Sequence, residues 1–389
     1  MTGGPRIFVS AGEVSGDRIL GEILEPLLER FPGSELRGLG GAAAEACGLQ
    51  ALFPIADTAF SGAWDVIRNT LFAVRMYRAA VREMRRFRPH LVLLVDYPGL
   101  NLRLARKARN LGVPVCFVAP PQAWAYRNPA RKIRRAAAAL QGCHVHALFP
   151  FEMESFAAAA SRVTAGHFLA APETAPGREK NLLLLCPGSR LPVLRRNLPV
   201  WLDLLDRVGR FPEAGGGKVA VLVPVHLASA AREILATHAD GRFAARLRLC
   251  TDKESIFAET RHAIAFPGTI TLELALHRVP TLVLAIVDPL TLALGRRALG
   301  DSRLALPNLL SGEDMFPEWA GTAPGPDPAR FLELEKRRDH APGWGRCLEK
   351  LAERMGPATG AQVAVEACAG LLQVSWQVRA PEAKASKKS

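Results

Sequence analysis

None of the seven cysteines (Cys47, Cys116, Cys143, Cys186, Cys250, Cys347, Cys368) forms a C-x-x-C pair, and their number is odd. Neither a zinc site nor a disulfide framework is therefore expected, and the chain reads as one of a reduced compartment. Cys116 and Cys186 lie in apolar runs and read as small buried hydrophobes. Aromatic residues make up only 7% of the chain and do not alternate with basic ones, so no base-stacking platform is expected. The opening residues Met1–Arg6 lack the basic-then-apolar order of a signal peptide. The most apolar stretch, Val279–Leu294, is interrupted by Pro280, Asp288 and Pro289, so no segment reads as a spanning helix. No repeat of solenoid period is found. These absences predict a cytoplasmic chain, soluble or peripheral on a membrane.

What is abundant is positive charge and apolar residues. Fifty Lys and Arg against 37 Asp and Glu leave a formal net charge of +13 over 389 residues, 49% of which are hydrophobic. The length suits two domains. The charge suits a polyanionic partner; with aromatics sparse, an anionic membrane surface ranks above nucleic acid, and no nucleic-acid partner is expected.

Short apolar runs alternate with helical periodicity. Ile7–Ser10 reads as a buried strand, and Ile19, Leu20, Ile23, Leu24, Leu27 and Leu28 recur at helical spacing after it. Leu91–Val95, a helix over Leu102–Leu111 and Val113–Val118 form a βαβ unit. Strands are expected again at Asn181–Leu185, Val219–Val225, His262–Phe266 and Pro280–Val287. The Pro- and Gly-bearing stretch Ala170–Lys180 reads as a linker, and Pro212–Gly217 as a surface loop. The expected division is residues 1–175 as a first Rossmann-like domain and 176–355 as a second. A C-terminal helical segment (356–379) and a disordered basic tail (380–389) follow. The expected fold class is α/β, two doubly wound domains facing across a cleft, with ligands beyond the C-terminal ends of the strands.

The polar punctuation falls at those ends. Gly12-Glu13-Val14-Ser15-Gly16-Asp17 joins strand to helix with two glycines for close backbone approach and Ser15 available as a cap. Asp96 follows Leu91–Val95 directly, as a base accepting a proton from a substrate hydroxyl would, or as a cap before Pro98. Gly188 and Ser189 can offer backbone N–H groups and Arg190 a forked cation to a phosphate. His262–Glu273 reads as strand, glycine turn and helix N-terminus, with Gly268 and Thr269 where a diphosphate would sit and Glu273 one turn further for ribose hydroxyls. Gly38–Ala43 resembles a dinucleotide fingerprint but lacks a convincing preceding strand. Ile67–Arg88 carries an apolar ridge (Ile67, Leu71, Val74, Tyr77, Val81, Met84) beside Arg75, Arg78, Arg82 and Arg85. That pattern fits a membrane-surface helix or a core helix with a solvated basic flank. Arg127, Arg131, Lys132, Arg134 and Arg135 form a second basic cluster.

Eight motifs in order carry a family resemblance: residues 10–17 (SAGEVSGD), 95–101 (VDYPGLN), 121–127 (PQAWAYR), 149–152 (FPFE), 166–167 (GH), 187–190 (PGSR), 268–273 (GTITLE) and 306–310 (LPNLL). The chain resembles the lipid-A-disaccharide synthase family over nearly its whole length. The resemblance implies an inverting GT-B glycosyltransferase at the inner face of the inner membrane. Such enzymes join UDP-2,3-diacylglucosamine to 2,3-diacylglucosamine 1-phosphate (lipid X) and release UDP. It also implies Asp96 as the base, and Gly12, Glu13, Ser15, Gly16, Asp17, Trp124 and Arg127 on the acceptor side. Gly188, Ser189, Arg190, Gly268, Thr269, Glu273 and Asn308 would lie on the donor side, with no metal and no cofactor needed because cationic groups meet the leaving diphosphate. A homodimer is compatible with this reading. The chain departs from the family pattern at Gly99, Val193, Pro267, Ala285-Ile286, Asp288 and Gly321, mostly in the donor half. A diverged paralogue that binds lipid precursors or membrane without turnover, or another UDP-N-acetylhexosamine enzyme such as a 2-epimerase, are the competing readings.

Overall fold

The computed structural model describes residues 4–53, 63–169, 181–209, 219–241, 243–244, 246–298, 303–339 and 344–379. The expected linker Ala170–Lys180, the loop Pro212–Gly217 and the tail Ala380–Ser389 lie outside the described residues. Two compact units emerge. The first comprises the N-terminal residues, Asp65–Phe168 and the chain from Arg354 onward; the second comprises Leu169–Glu353 with Ser61–Trp64.

In the first unit, strands and helices alternate: β1 (Arg6–Ala11), α1 (Val14–Arg30), β2 (Glu35–Leu39), α2 (Ala42–Ala46), β3 (Gln50–Ala51), α3 (Ala63–Phe87), β4 (Leu91–Val95), α4 (Pro98–Asn110), β5 (Val115–Val118), α5 (Pro129–Leu140), β6 (His144–Ala147), α6 (Met153–Ala157) and β7 (Arg162–Ala165). The seven strands pair in parallel in the order β3-β2-β1-β4-β5-β6-β7. Because successive strand residues point to opposite faces, Ile7, Val9, Leu91, Leu93 and Val95 meet α1 on one side. Phe8, Val92 and Leu94 meet α3, α4 and α5 on the other. Both faces are covered, which is why β4 is apolar throughout.

Two sequence expectations are corrected here. The glycine run at Gly38–Ala43 does follow a strand, β2. Gly38 lies in it at φ 145°, and a Cβ there would meet the Val9 carbonyl oxygen at 1.9 Å, so this glycine serves strand packing. In α3 the core line runs through Met76, Ala80 and Met84, with Phe72, Tyr77 and Val81 packed partly against it. Arg75, Arg78, Arg82 and Arg85 are exposed beside it. Of the two open readings, the core helix with a solvated basic flank holds where side chains are described; those of Ile67 and Leu71 lie outside the description.

The second unit repeats the plan: β8 (Leu182–Cys186), α7 (Leu191–Arg207), β9 (Val219–Leu222), α8 (Ala228–Thr237), β10 (Arg248–Cys250), α9 (Lys253–Glu259), β11 (Thr260–Ala265), α10 (Thr269–Leu276), β12 (Thr281–Ile286), α11 (Pro289–Ala298), α12 (Leu306–Ser311), β13 (Glu318–Gly321), α13 (Pro328–Asp339) and α14 (Trp344–Met355). Its six strands are parallel in the order β10-β9-β8-β11-β12-β13. A cluster around Trp201, Leu198 and Leu205 of α7 fills one face, and Phe257, Leu274 and Val279 the other. The last helix, α15 (Gly360–Arg379), returns to the first unit, where Ala364, Cys368, Ala369 and Leu372 join the α1 core. All seven cysteines are free, and Cys116 and Cys186 are buried.

Candidate functional site

In each sheet the strand order reverses direction once, between β1 and β4 in the first and between β8 and β11 in the second. Loops leaving two such strands diverge to opposite faces and open a crevice at their C-terminal ends. The first crevice is bounded by Gly12–Glu13 after β1 and by Asp96–Tyr97 after β4. The second is bounded by Pro187–Arg190 after β8 and by Phe266–Gly268 after β11.

At the first crevice, Asp96 and Tyr97 both adopt left-handed backbone conformations, each at φ 49°. Aspartate, like asparagine, tolerates this region, but a tyrosine seldom adopts it, and Tyr97 costs about 1 kcal/mol or more there. What holds the turn is Asn101, fully buried on the first turns of α4. Its amide Nδ2 donates to the carbonyls of Asp96 (2.8 Å), Val95 (3.1 Å) and Ser10 (3.2 Å), and its Oδ1 accepts from the Ser10 hydroxyl at 2.7 Å. The Asp96 N–H donates to Val118 O at 2.9 Å, tying the turn to β5. The N-cap of α4 is Tyr97, so Asp96 does not cap that helix. Its half-buried side chain stands beside Gly16: a Cβ on Gly16 would be 3.8 Å from the Asp96 Cβ. Gly12 is needed because the Tyr97 ring lies where its Cβ would be, at 2.3 Å.

The remaining first-loop residues separate. The cap expected at Ser15 is corrected: α1 begins at Val14 with Glu13 as N-cap, no side-chain capping bond is made, and Ser15 sits half-buried in the first turn. Asp17 is 5% exposed and turned inward. Its carboxylate accepts from the backbone N–H groups of Gly41 (2.6 Å), Ala43 (2.9 Å) and Ala44 (3.3 Å), capping α2 from another element. That role turns the Asp17 carboxylate toward the backbone of α2.

On the adjacent strand end, after β5, Trp124 lies in a short 3₁₀ turn, Ala123–Ala125. Its indole N–H donates to Glu152 Oε1 at 2.9 Å, while Glu152 Oε2 accepts from the Phe149 N–H at 3.1 Å. The Trp124 ring meets Phe149 and Phe151 edge-on, and those two rings stack on each other. Glu152 is 2% exposed, and burial pushes its carboxyl up to about 7, against the pull of the indole and backbone donors. This coupling of residues 121–127 to residues 149–152 is invisible to spacing in the sequence, although both stretches are recurring motifs. Arg127 is exposed, and so are Arg131, Lys132, Arg134 and Arg135.

At the second crevice, Gly188 (φ 117°) makes the turn, and a Cβ there would meet Val193 Cγ1 at 2.6 Å. Ser189 is exposed and Arg190, half-buried, is the N-cap of α7. His226, after the neighbouring β9, hydrogen-bonds the Ser189 backbone; burial lowers its pKa, and that bond opposes the shift. Sequence reading had no signal for His226. Thr269 opens α10 after an exposed Gly268. Glu273 is not the solvated residue that its position alone suggests: it is 9% exposed and paired with Lys253 Nζ at 2.7 Å. Asn308 is 1% exposed. Its Nδ2 donates to Phe316 O and Glu318 Oε1, both at 2.7 Å, and its Oδ1 accepts from the Phe316 N–H at 2.9 Å. Both of its amide donors are spent inside the protein, fixing α12 to the start of β13.

The donor-half departures are absorbed by packing. Val193 fills the space against Gly188, and Gly321 is a glycine because the Trp319 ring lies 2.4 Å from where its Cβ would be. Ala285 and Ile286 end β12 as buried strand residues. Among the described residues no group of three His, Cys, Asp or Glu is placed to hold a metal ion, and no helix is long and apolar enough to cross a membrane.

Residues 7–336 match the family model described as lipid-A-disaccharide synthetase. The lipid-A-disaccharide synthase of Myxococcus xanthus is 29% identical over 390 residues, covering 96% of this chain and 98% of that protein. That of Gluconobacter oxydans is 30% identical over 335 residues, covering 80% and 76%. Among solved structures, the calicheamicin glycosyltransferase CalG4 superposes with a TM-score of 0.54 at 14% identity, covering 96% of this chain and all of that one (100%), a likeness of fold. The two Rossmann-like units are those of the GT-B class, and the chain belongs to the lipid-A-disaccharide synthetase family.

Proposed function

We propose that the chain is an inverting glycosyltransferase that joins UDP-2,3-diacylglucosamine to 2,3-diacylglucosamine 1-phosphate, yielding the disaccharide 1-phosphate of lipid A and UDP. One observation carries the reading: in a chain of this family, the family's motif residues border the switch-point crevice of each sheet. On this reading the Asp96 carboxylate takes the proton of the acceptor hydroxyl as that oxygen attacks the anomeric carbon. The bond from that carbon to the diphosphate breaks on the opposite face. The Arg190 guanidinium, the N–H groups of Gly188 and Ser189 and the N-terminus of α10 at Gly268 and Thr269 receive the departing charge. Gly12, Glu13, Ser15, Gly16, Trp124 and Arg127 border the acceptor. Asn308 acts by holding α12, its amide donors spent on Phe316 and Glu318, while Glu273, one oxygen of which accepts from Lys253, takes the ribose hydroxyls. Purified chain incubated with both substrates and a radiolabelled acceptor should yield labelled disaccharide in step with UDP. Binding of both substrates without product would leave the non-catalytic paralogue as the answer.

The lipid substrates require a peripheral station at the inner face of the inner membrane. Exposed Arg75, Arg78 and Arg82 of α3, with Arg131, Lys132, Arg134 and Arg135 of α5, support it. Each well-placed cation contributes about 1 kcal/mol near an anionic surface and is screened by salt. Co-sedimentation with anionic vesicles should fall as salt rises and fall again when Arg75, Arg78 and Arg82 become glutamate. Binding unchanged by that triple substitution would move the contact to α5.

A further inference from the structure

A further concentration of positive charge, which shares Arg85 with the α3 flank, lies at the other end of the first sheet. Arg6 opens β1, Arg37 lies in β2, and α3 ends in Arg85 and Arg86 before Arg88 leads into β4. With Glu83 these five arginines line an open depression of about 630 Å³ whose floor includes Phe87. Glu83 is its only carboxylate, among the described residues.

Two of the five arginines build the frame. Arg6 donates from Nε and Nη2 to the Arg88 carbonyl (3.2 and 3.0 Å). Arg37 pairs with Glu83 at 3.3 Å and stands 5.6 Å from the centroid of the Phe87 ring. Glu83 is thereby matched by Arg37, and the exposed guanidiniums of Arg85, Arg86 and Arg88 are left in excess around one depression. A cation in the last turn of a helix is ordinarily explained by the helix dipole. Arg88 stands just beyond that turn, its N–H donating to the Met84 carbonyl at 3.1 Å. It takes the residue after α3 at φ 48°, the left-handed position where glycine is the usual occupant. Three like charges there repel one another within a Debye length unless an anion lies among them. Planar guanidiniums fork onto phosphate oxygens.

We propose that this depression is a binding site for a soluble, phosphate-bearing anion of diphosphate size, held by Arg85, Arg86 and Arg88. The site lies at the N-terminal end of β4, whereas Asp96 follows its C-terminal end, some five residues or roughly 16 Å away. The choice of a soluble anion over a lipid headgroup rests on the proposal that lipid is taken at the Asp96 end. Failure of that proposal would be read in the glycosyl-transfer assay, whereas the present one is read locally and without substrate.

The test is hydrogen–deuterium exchange of the full chain with inorganic pyrophosphate, at ionic strength matched with chloride. Protection of peptides covering residues 82–91 is expected, with at least tenfold weaker apparent affinity when Arg85 and Arg86 are changed together to glutamate. Arg88→Gly supplies a second variant that relieves the backbone at that position. It should bind pyrophosphate more weakly while melting no lower than the parent chain. Protection confined to residues 186–195, or equal affinity in the Arg85→Glu/Arg86→Glu variant, would overturn the site. Protection of residues 82–91 by phosphatidylglycerol vesicles but not by pyrophosphate would also overturn it, in favour of a lipid headgroup.

Discussion

The two switch-point crevices are built on one topology but stabilised in opposite ways. In the first, the turn after the central strand is forced: Asp96 and Tyr97 hold left-handed conformations, and one buried amide, Asn101, spends its whole hydrogen-bonding capacity on pinning them to β1 and β4. In the second, the turn after β11, the counterpart of β4, is given to a glycine, Gly268, as the turn after β8 is to Gly188, and the residues proposed to meet a ligand, Ser189 and Arg190, stand at a helix start that makes no side-chain cap. An over-determined aspartate suits a base that must meet one proton on one acceptor. A glycine turn with backbone donors suits a diphosphate, which is met by any N–H that points the right way. Most of the chain's departures from the family pattern fall in the second unit, and packing absorbs Val193 against Gly188 and Gly321 against Trp319.

The sharpest way to break this contrast is at Asp96. Asp96→Asn keeps the shape and removes the base, so transfer should fall by about 10³-fold, equivalent to about 4 kcal/mol of transition-state stabilisation. The melting temperature should stay close to that of the parent chain. A variant that still turns over at the parental rate would hand the role to Glu13, since Asp17 is committed to the backbone of α2.

Next in size is Asn101→Ala, which leaves the Asp96 turn without its clamp. Several buried polar groups lose their partner at once, the Ser10 hydroxyl and the carbonyls of Ser10, Val95 and Asp96. A loss of about 3 kcal/mol in unfolding free energy is expected from urea titration. Loss of transfer should accompany it even at temperatures where the variant stays folded. A variant both stable and active would show that Asp96 and Tyr97 keep their conformation unaided.

Arg190→Ala tests the second crevice. Losing one charge-assisted phosphate contact should weaken UDP binding by about 2 kcal/mol, roughly 30-fold, in calorimetric titration. Because the N–H donors of Gly188 and Ser189 remain, the loss should stay below that at Asp96. Unchanged affinity would place the diphosphate elsewhere.

Much of this was legible in the chain and some of it was not. The apolar run Leu91–Val95 announces a strand covered on both faces, and the position of Asp96 one residue later announces a polar group at its C-terminal end. Helix Ile67–Arg88 was legible as a helix, yet where its side chains are described the fully buried line, Met76–Ala80–Met84, is rotated from the ridge the pattern suggests, with Tyr77 and Val81 only partly buried beside it. Side chains that act across long separations were opaque. Asp17 bonds residues 24 to 27 positions away, Asn308 bonds across a loop to Phe316 and Glu318, and Lys253 reaches Glu273 from another helix. Polarity and position mark such residues as important, and only the fold says whether they face a ligand or the backbone.

The last test reads stability across pH and concerns Glu152, whose carboxylate ties Trp124 to the Phe149 backbone. Burial raises its folded-state pKa to about 7, above an unfolded value of about 4.3. Between those values the folded chain holds a proton that the unfolded chain has released, so this group makes stability fall as pH rises, with a limiting slope of about 1.4 kcal/mol per pH unit. Below about pH 4 both states are protonated and above about pH 7 both are ionised, so the slope vanishes outside the window. Two other groups of the same unit act with the opposite sign. His144 and His146 are lowered to about 4 by burial, so their protonation in the unfolded state makes stability rise with pH between about 4 and 6.5. Two histidines outweigh one carboxyl, so these three groups together make the parent chain gain stability with a limiting slope of about 1.4 kcal/mol per pH unit between about pH 4 and 6.5. The informative quantity is therefore its difference from Glu152→Gln, measured by urea titration from pH 4.5 to 7.5. That difference should change steadily through the window, the parent chain losing ground as pH rises, and level off at both ends. A difference independent of pH would mean that Glu152 is ionised throughout and that the Trp124 indole is held by a carboxylate. A slope of the expected sign would mean that the aromatic cluster of Trp124, Phe149 and Phe151 is held near neutrality by a carboxyl group poised to lose its proton.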